Sequence, residues 1–493
     1  MKHLYLLLIS LFIGSGGFCS SLSAQDTLRI SLSDAIRMAR DHSPEATAAR
    51  HSFRASYWNW RTYKANLLPS LSFYSDPYLN RTISPVTLPD GSDSYIRRNQ
   101  LTLDAGLTLQ QNIPLTGGQL FVSTELSRLD VFSEDMTSYR TSPVTIGYQQ
   151  NIFGYNSLKW SRKIEPVRYA EAKKTLVETL ELVAASATQK FFQLATAQTN
   201  LEIARYNYAN ADTLFRFAQG RYNIGTITEN EMLQLEINLL TEQTNMMNAR
   251  IEVEDYTQVL RSYLGITDDR ELNVTIEKTI PAFTVPVDQA LQLAYALNPE
   301  PETLQRRKLE SESAVAQAKS LQGFKADLYV QFGLSQTDET LKDAYRNPLD
   351  QQRVSLGIRV PILDWGVGKG RVKVAVSNRD KVHTEIEQAR NDFEQNVIKM
   401  VKQFNLQNDR VVIADKTDQT AQRRNEVAQK LYLLGKSDIL DLNASISEKD
   451  RAKRAYIQAL YNYWSLYYGL RSITGFDFEK KRELVEDYEL LIK

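Results

Sequence analysis

Two hydrophobic periods take turns along this chain. Between Leu32 and Asn66, apolar residues such as Ala35, Ile36, Met38 and Ala39 recur at helical spacing, and Val287 to Leu321 repeats the pattern. A period of two follows each helix. Leu71 and Phe73 alternate with Ser70, Ser72 and Tyr74; Val144, Ile146 and Tyr148 alternate with Thr145, Gly147 and Gln149. In the second half, Leu328, Val330, Phe332 and Leu334 alternate with polar or small residues, as do Val354, Leu356, Ile358 and Val360. Runs of about nine to eleven residues with one apolar and one polar face have the length of a bilayer-spanning strand. A soluble sheet with one buried face gives the same pattern.

Helical spacing then returns at unusual length. Ser157 to Gln219 contains no Gly and one Pro, Pro166. That run predicts a helix of about 95 Å. Gly220 to Gly225 interrupts it, and a second helix is predicted from Thr228 to Leu264. The second half repeats this with Val372 to Leu433, a break at Gly435, then Ile439 to Ile473. Ala184, Ala185, Ala187, Ala195 and Ala197 let neighbouring helices approach closely. Hairpins this long cannot bury their apolar stripes alone, so self-association or a partner is expected.

These halves are two unequal copies. Ile30 to Glu45 matches Val285 to Glu300 at an offset of 255. Val144, Ile146, Gly147 and Ile152 match Val354, Leu356, Gly357 and Ile362 at 210, as Gly225 matches Gly435. The difference, 45, is an insertion between the strand near Leu71 and that at Val144. It contains alternating Leu101, Leu103, Ala105, Leu107 and Leu109, a turn at Pro114 to Gly118, and Leu120, Val122 and Leu126. That is a hairpin of membrane-strand length, placed either among the membrane-spanning strands of a barrel or outside the membrane as an extracellular cap.

The first 24 residues read as an export signal: Lys2 and His3, an apolar run from Leu4 to Ile13 too short to span a bilayer, and a cut at Ala24-Gln25. Acylation of Cys19 is the competing reading, against which bulky Phe18 argues. No later apolar run reaches about 20 residues, so a spanning mature protein has to be a barrel.

Composition removes several classes of function. With 59 basic and 59 acidic residues, net charge is zero and nothing points to nucleic acid. Four scattered His and one Cys provide no metal-ligand spacing or disulfide. No hydrolase or metalloprotease motif occurs, and Gly366-Val-Gly-Lys-Gly370 lacks phosphate-loop spacing. No enzyme, metal or cofactor is expected.

The twin openings, the joints Gln150-Asn-Ile-Phe-Gly154 and Val360 to Gly366, the turns at Gly225 and Gly435, and the Leu-Arg helix ends at Leu260 and Leu470 together resemble the TolC-like outer membrane efflux protein family. The ordered duplication over residues 28–476 carries the resemblance. It implies a mixed α and transmembrane β fold: a homotrimeric barrel of four to six strands per chain, continued into a periplasmic tunnel of α-helices. The implied place is the outer membrane of a Gram-negative bacterium, in contact with its lipid. The implied partners are a periplasmic adaptor and an inner-membrane transporter. The expected role is a passive conduit for efflux or type I secretion. A periplasmic coiled-coil adaptor or scaffold is the alternative, and an uptake pore a weaker one. The expected organisation is a signal (1–24), a first repeat (25–284), a second repeat (285–476) and a tail (477–493).

Family members contribute four barrel strands per chain, so the insertion is a departure. At the tip turn the resemblance places the gate tyrosine on Tyr432 and a ring carboxylate on Asp441. The second ring position falls on Ala444, with Asp438 a substitute; Tyr222 occupies the matching turn. Capping and solvation are the ordinary roles for these residues. Trp160 and Trp365 follow the last strand of each copy and are candidate interfacial anchors, or joint packing. Trp58, Trp60 and Trp464 are expected to serve in packing.

Overall fold

The computed structural model describes residues 28–267, 271–434, 436–437 and 439–492. The proposed signal and Cys19 lie outside them, as do Gly435 and Asp438. In chain order the elements are β1 (Leu28–Ser31), α1 (Leu32–His42), α2 (Pro44–Ala65), β2 (Ser70–Thr87), β3 (Asp93–Ile113), β4 (Gly118–Val131), β5 (Met136–Ile152), α3 (Ser157–Asn223) and α4 (Glu229–Leu264). Then come β6 (Leu272–Thr275), α5 (Val287–Leu297), α6 (Glu300–Gln322), β7 (Lys325–Asp338), β8 (Leu349–Arg359), α7 (Val367–Asn405), α8 (Gln407–Leu433), α9 (Ile439–Thr474), β9 (Phe476–Asp477), β10 (Arg482–Glu483) and α10 (Tyr488–Ile492).

The chain forms two compact units, one of residues up to Ala39 with Ala187–Thr279, the other of Arg40–Ser186 with Ile280–Lys493. In the first, β1 pairs in parallel with β6. The Gln198 amide bridges this pair to α3: it donates to the Leu272 carbonyl at 2.9 Å and accepts from the Val274 N–H at 3.2 Å. Phe191, Leu194, Leu260 and Leu264 are fully buried. The strand pair was not expected from the sequence, because four-residue strands carry no readable period.

The second unit holds a sheet of six strands in the order β2-β3-β4-β5-β7-β8, every neighbour antiparallel. The inserted hairpin thus lies inside the sheet. All four strand-to-helix joints are at one end of it, with the β3–β4 turn. The β2–β3, β4–β5 and β7–β8 loops are at the other. The β3–β4 turn needs Gly117: its φ is +76°, and a Cβ there would come within 2.8 Å of Asn156. The Asn156 amide, at the start of α3, donates to the Pro114 carbonyl of that turn at 3.1 Å.

Three helices expected as continuous are divided. Ser43-Pro44 separates α1 from α2, since the proline ring fits the first helical turn and the Ser43 hydroxyl accepts from the Ala46 N–H at 3.1 Å. Asn298-Pro299 divides α5 from α6, with Pro299 at the N-cap of α6 and the Asn298 side-chain oxygen accepting from the Glu300 N–H at 2.9 Å. The predicted helix through Leu433 is interrupted at Leu406. There Asn405 exchanges two hydrogen bonds with the Val285 backbone, both 2.9 Å. By contrast α3 runs 67 residues through Pro166.

Beside α9, Phe404, Tyr463, Tyr467 and Phe283 form an aromatic core, Phe404 lying 5.4 Å from Tyr463 and 5.2 Å from Phe283 between ring centres. Below it Arg471 joins Glu181 of α3 at 2.8 Å to Asp477 of β9 at 2.6 Å. Both carboxylates are almost wholly buried. Arg40 completes the network, reaching Glu181 at 3.1 Å and also Glu486. Burial works to lower the Arg471 pKa, but the Glu181 carboxylate outweighs it and holds the guanidinium above its ordinary range. Burial pushes the neighbouring Tyr468 up to about 12. The C-terminal segment is held across this unit: Tyr488 packs on Phe53 at 5.3 Å, and Arg54 donates to the Leu491 carbonyl at 2.5 Å.

Candidate functional site

The sheet has two chemically distinct faces, and the register sets them row by row. Leu71, Leu109, Val122, Ile146 and Phe332 stand opposite one another across five strands. The adjoining row on the other face is Ser72, Thr108, Ser123, Thr145, Gly333 and Gln351. Another polar row is Asn112, Gln119, Gln149, Tyr329 and Ser355. The apolar face is open: Leu71 is 67% exposed, Ile146 50% and Phe332 53%. Contiguous exposed apolar surface on this scale marks a lipid or protein contact. Among the described residues no helix is long and apolar enough to cross a membrane.

At the helix end of the sheet, the two joints share one backbone device. Phe153 (φ +62°) precedes Gly154, and Trp365 (φ +52°) precedes Gly366. Both aromatic rings are exposed, Trp365 at 88% and Phe153 at 69%. Non-glycine residues in the left-handed region are uncommon and cluster where structure imposes them. The counterpart of Trp365 is therefore Phe153. Trp160 lies on α3, half-buried, with the Lys163 ammonium 4.8 Å above its ring. The repeated aromatic-Gly step, three residues before α3 begins and immediately before α7, is the signal that identifies Phe153.

The glycine-rich Gly366 to Gly370 segment has no spare N–H cluster for a phosphate. The Asp364 carboxylate accepts from the N–H groups of Gly366 at 2.9 Å and Gly368 at 2.7 Å. Those two N–H groups, Gly368 foremost, hold its carboxyl below the usual carboxylate range.

The α3–α4 turn is closed by Gly225 (φ +73°), whose N–H donates to the Tyr222 carbonyl at 2.8 Å. Thr228 and Glu231 then cap α4 reciprocally. Tyr222 is 39% exposed. In the second tip region Tyr432 lies half-buried near the end of α8. Asp441, in the first turn of α9, accepts from the Ser437 hydroxyl at 2.9 Å and pairs with Arg424 of α8 at 3.3 Å. Arg424 also pairs with Glu448. Nothing in the sequence marks Arg424, because it stands 17 residues before Asp441 and meets it only when the helices fold back together.

The sequence profile described as outer membrane efflux protein matches residues 35–266 and 292–476. The chain belongs to the outer membrane efflux protein family. It is an outer-membrane efflux channel subunit, with barrel strands and tunnel helices. Toxin and drug export protein A of Aggregatibacter actinomycetemcomitans is 21% identical over 429 residues, 83% of this chain and 90% of that protein. Solved outer membrane proteins share the fold. The CmeC outer membrane channel of Campylobacter jejuni superimposes with a TM-score of 0.64 over 94% of this chain and 88% of its own, at 16% identity. VceC of Vibrio cholerae gives 0.61 over 90% and 96%, at 14% identity.

Proposed function

We propose that three copies of this chain close one eighteen-stranded barrel in the outer membrane, continued by the helices as a tunnel through the periplasm. The tunnel takes export cargo from an inner-membrane transporter through a periplasmic adaptor, with no catalysis of its own. The observation that carries this is the six-stranded sheet with an apolar and a polar face and two unpaired edges, β2 and β8. Closed outer-membrane barrels begin at about eight strands, so one chain is too few. The leucine–valine–isoleucine face meets lipid, and the serine–threonine–glutamine face lines the lumen. The relative's name extends the cargo to toxins and drugs.

Within this reading, residues 1–24 are the removed signal, 25–284 and 285–476 the two repeats, and 477–493 the tail. Tyr432 and Asp441, with Asp438, are the gate candidates at the Gly435 turn, and Tyr222 is the candidate at the Gly225 turn. Trp365 and Phe153 sit at the periplasmic lipid boundary, with Trp160 below them. The adaptor reading has no use for a membrane-facing sheet.

Native mass measurement in mild detergent tests the assembly, and single-channel recording tests the pore. A trimer that conducts is expected. A stable monomer that opens no pore overturns the reading.

A further inference from the structure

We propose that Arg81 and Arg97 bind phosphate groups of outer-leaflet lipid headgroups, an inference that rests on the membrane-barrel reading above. The β2–β3 hairpin outruns its neighbour. β4 ends at Val131, opposite Gln100, whereas β2 and β3 stay paired from Arg81 with Asn99 to Thr87 with Asp93. Those seven pairs make a two-stranded ribbon of about 24 Å, at the sheet end opposite the helices.

Alternation fixes which side chains share the lipid face. Leu71, Phe73 and Leu79 lie on it, and Arg81 and Ile83 continue the same parity. Across the pair, Leu109, Leu107 and Leu101 are followed by Asn99, Arg97 and Tyr95. The face therefore changes from leucine to arginine within one pair, as acyl chains give way to headgroups in an outer leaflet. Arg81 is exposed and donates from Nε to the Asn99 side-chain oxygen at 2.9 Å. Arg97 is exposed, and its side chain has no hydrogen bond or ion pair among the described residues.

No Asp or Glu occurs in residues 77–89 or 94–103. The tip carboxylates are engaged, Asp90 with Ser92 and Asp93 with Thr87, both at 2.7 Å. Ile83 (64% exposed) and Tyr95 (78%) share the face, as suits an interfacial belt rather than a site for a soluble anion. A planar guanidinium matches phosphate oxygens in pairs. Arg98, the next residue, falls on the opposite, lumen-facing side with Thr82.

The full-length channel, in mild detergent, is titrated with bis-phosphorylated lipid A, with dephosphorylated lipid A and with inorganic phosphate as competitor. Bound lipid is counted by native mass spectrometry. Arg81→Gln with Arg97→Gln is expected to weaken lipid A binding roughly tenfold. Arg97→Gln alone is expected to weaken it measurably, and Arg98→Gln to leave it unchanged. Dephosphorylated lipid A is expected to bind wild type no better than the double variant. Equal binding by wild type and double variant overturns the proposal. So does equal damage from Arg97→Gln and Arg98→Gln, which would mean bulk charge. Complete displacement by millimolar inorganic phosphate would mean a soluble-anion site instead. A wild-type protein that opens no pore in planar bilayers sinks the membrane reading, and this proposal with it; a conducting wild type with unaffected variants sinks this proposal alone.

Discussion

Asp76 and Asp104 stand directly opposite each other across β2 and β3, on the polar face of the sheet. One Asp104 carboxylate oxygen is shut from solvent and has no hydrogen-bond partner among the described residues. Like charges directly opposite across strands are destabilising. In the proposed trimer they line the lumen, where carboxylate rings favour cations. Asp104→Asn is expected to shift the reversal potential in a salt gradient toward weaker cation preference while stability holds or rises slightly. An unchanged reversal potential would place the pair away from the ion path.

The tip gives a second prediction with two arms of opposite sign. Arg424 screens Asp441 and Glu448. Arg424→Gln is expected to strengthen block by multivalent cations in single-channel recordings, and Asp441→Asn to weaken it. Tyr432→Phe is expected to raise resting conductance. If block is the same in both charge variants, Asp441 faces away from the pore.

Arg471 offers a stability test. Replacing it with Met leaves buried Glu181 and Asp477 without their shared cation, although Arg40 still reaches Glu181. Losing one partner of a buried network typically costs about 3–5 kcal/mol. Thermal unfolding in detergent is expected to move down by several degrees. A melting temperature within a degree of wild type would show that solvent fills the site.

Glu178 predicts a pH dependence. Burial raises its pKa, the Asn298 amide opposes this, and Glu300 adds to it. An acid with a raised folded-state pKa destabilises the fold above that pKa, and the penalty lapses as pH falls through it. Glu178→Gln is therefore expected to raise the melting temperature at neutral pH by about 1 °C, with the gain fading toward acid pH. A gain that persists unchanged at pH 4 would be unrelated to ionisation.

The parts of the fold that repeat are legible in the amino-acid sequence. Val144 and Val354 announce their strands by alternation, and the glycine-free run from Ser157 announces α3. What stays hidden depends on contacts distant along the chain. Arg424 meets Asp441 through helix pairing, and Arg471 meets Glu181 over 290 residues. The break at Leu406 has no helix-breaking residue to mark it; its cause is the Val285 backbone lying against Asn405. Phe153 is inconspicuous because tryptophan is the usual mark of a lipid boundary, whereas the feature shared by the two joints is an aromatic residue held at positive φ before glycine.

The two unpaired edges have a genetic consequence. In the proposed trimer each copy lends both of its edges to neighbours, so one copy with a spoiled β2 or β8 leaves a seam in the whole ring. Such an allele should be dominant: in a cell making both forms, the sound fraction falls as the cube of the wild-type share. Pro substitutions that remove an outward-pointing N–H of β8 should therefore poison efflux in the presence of a normal gene, while loss of the gene should be recessive.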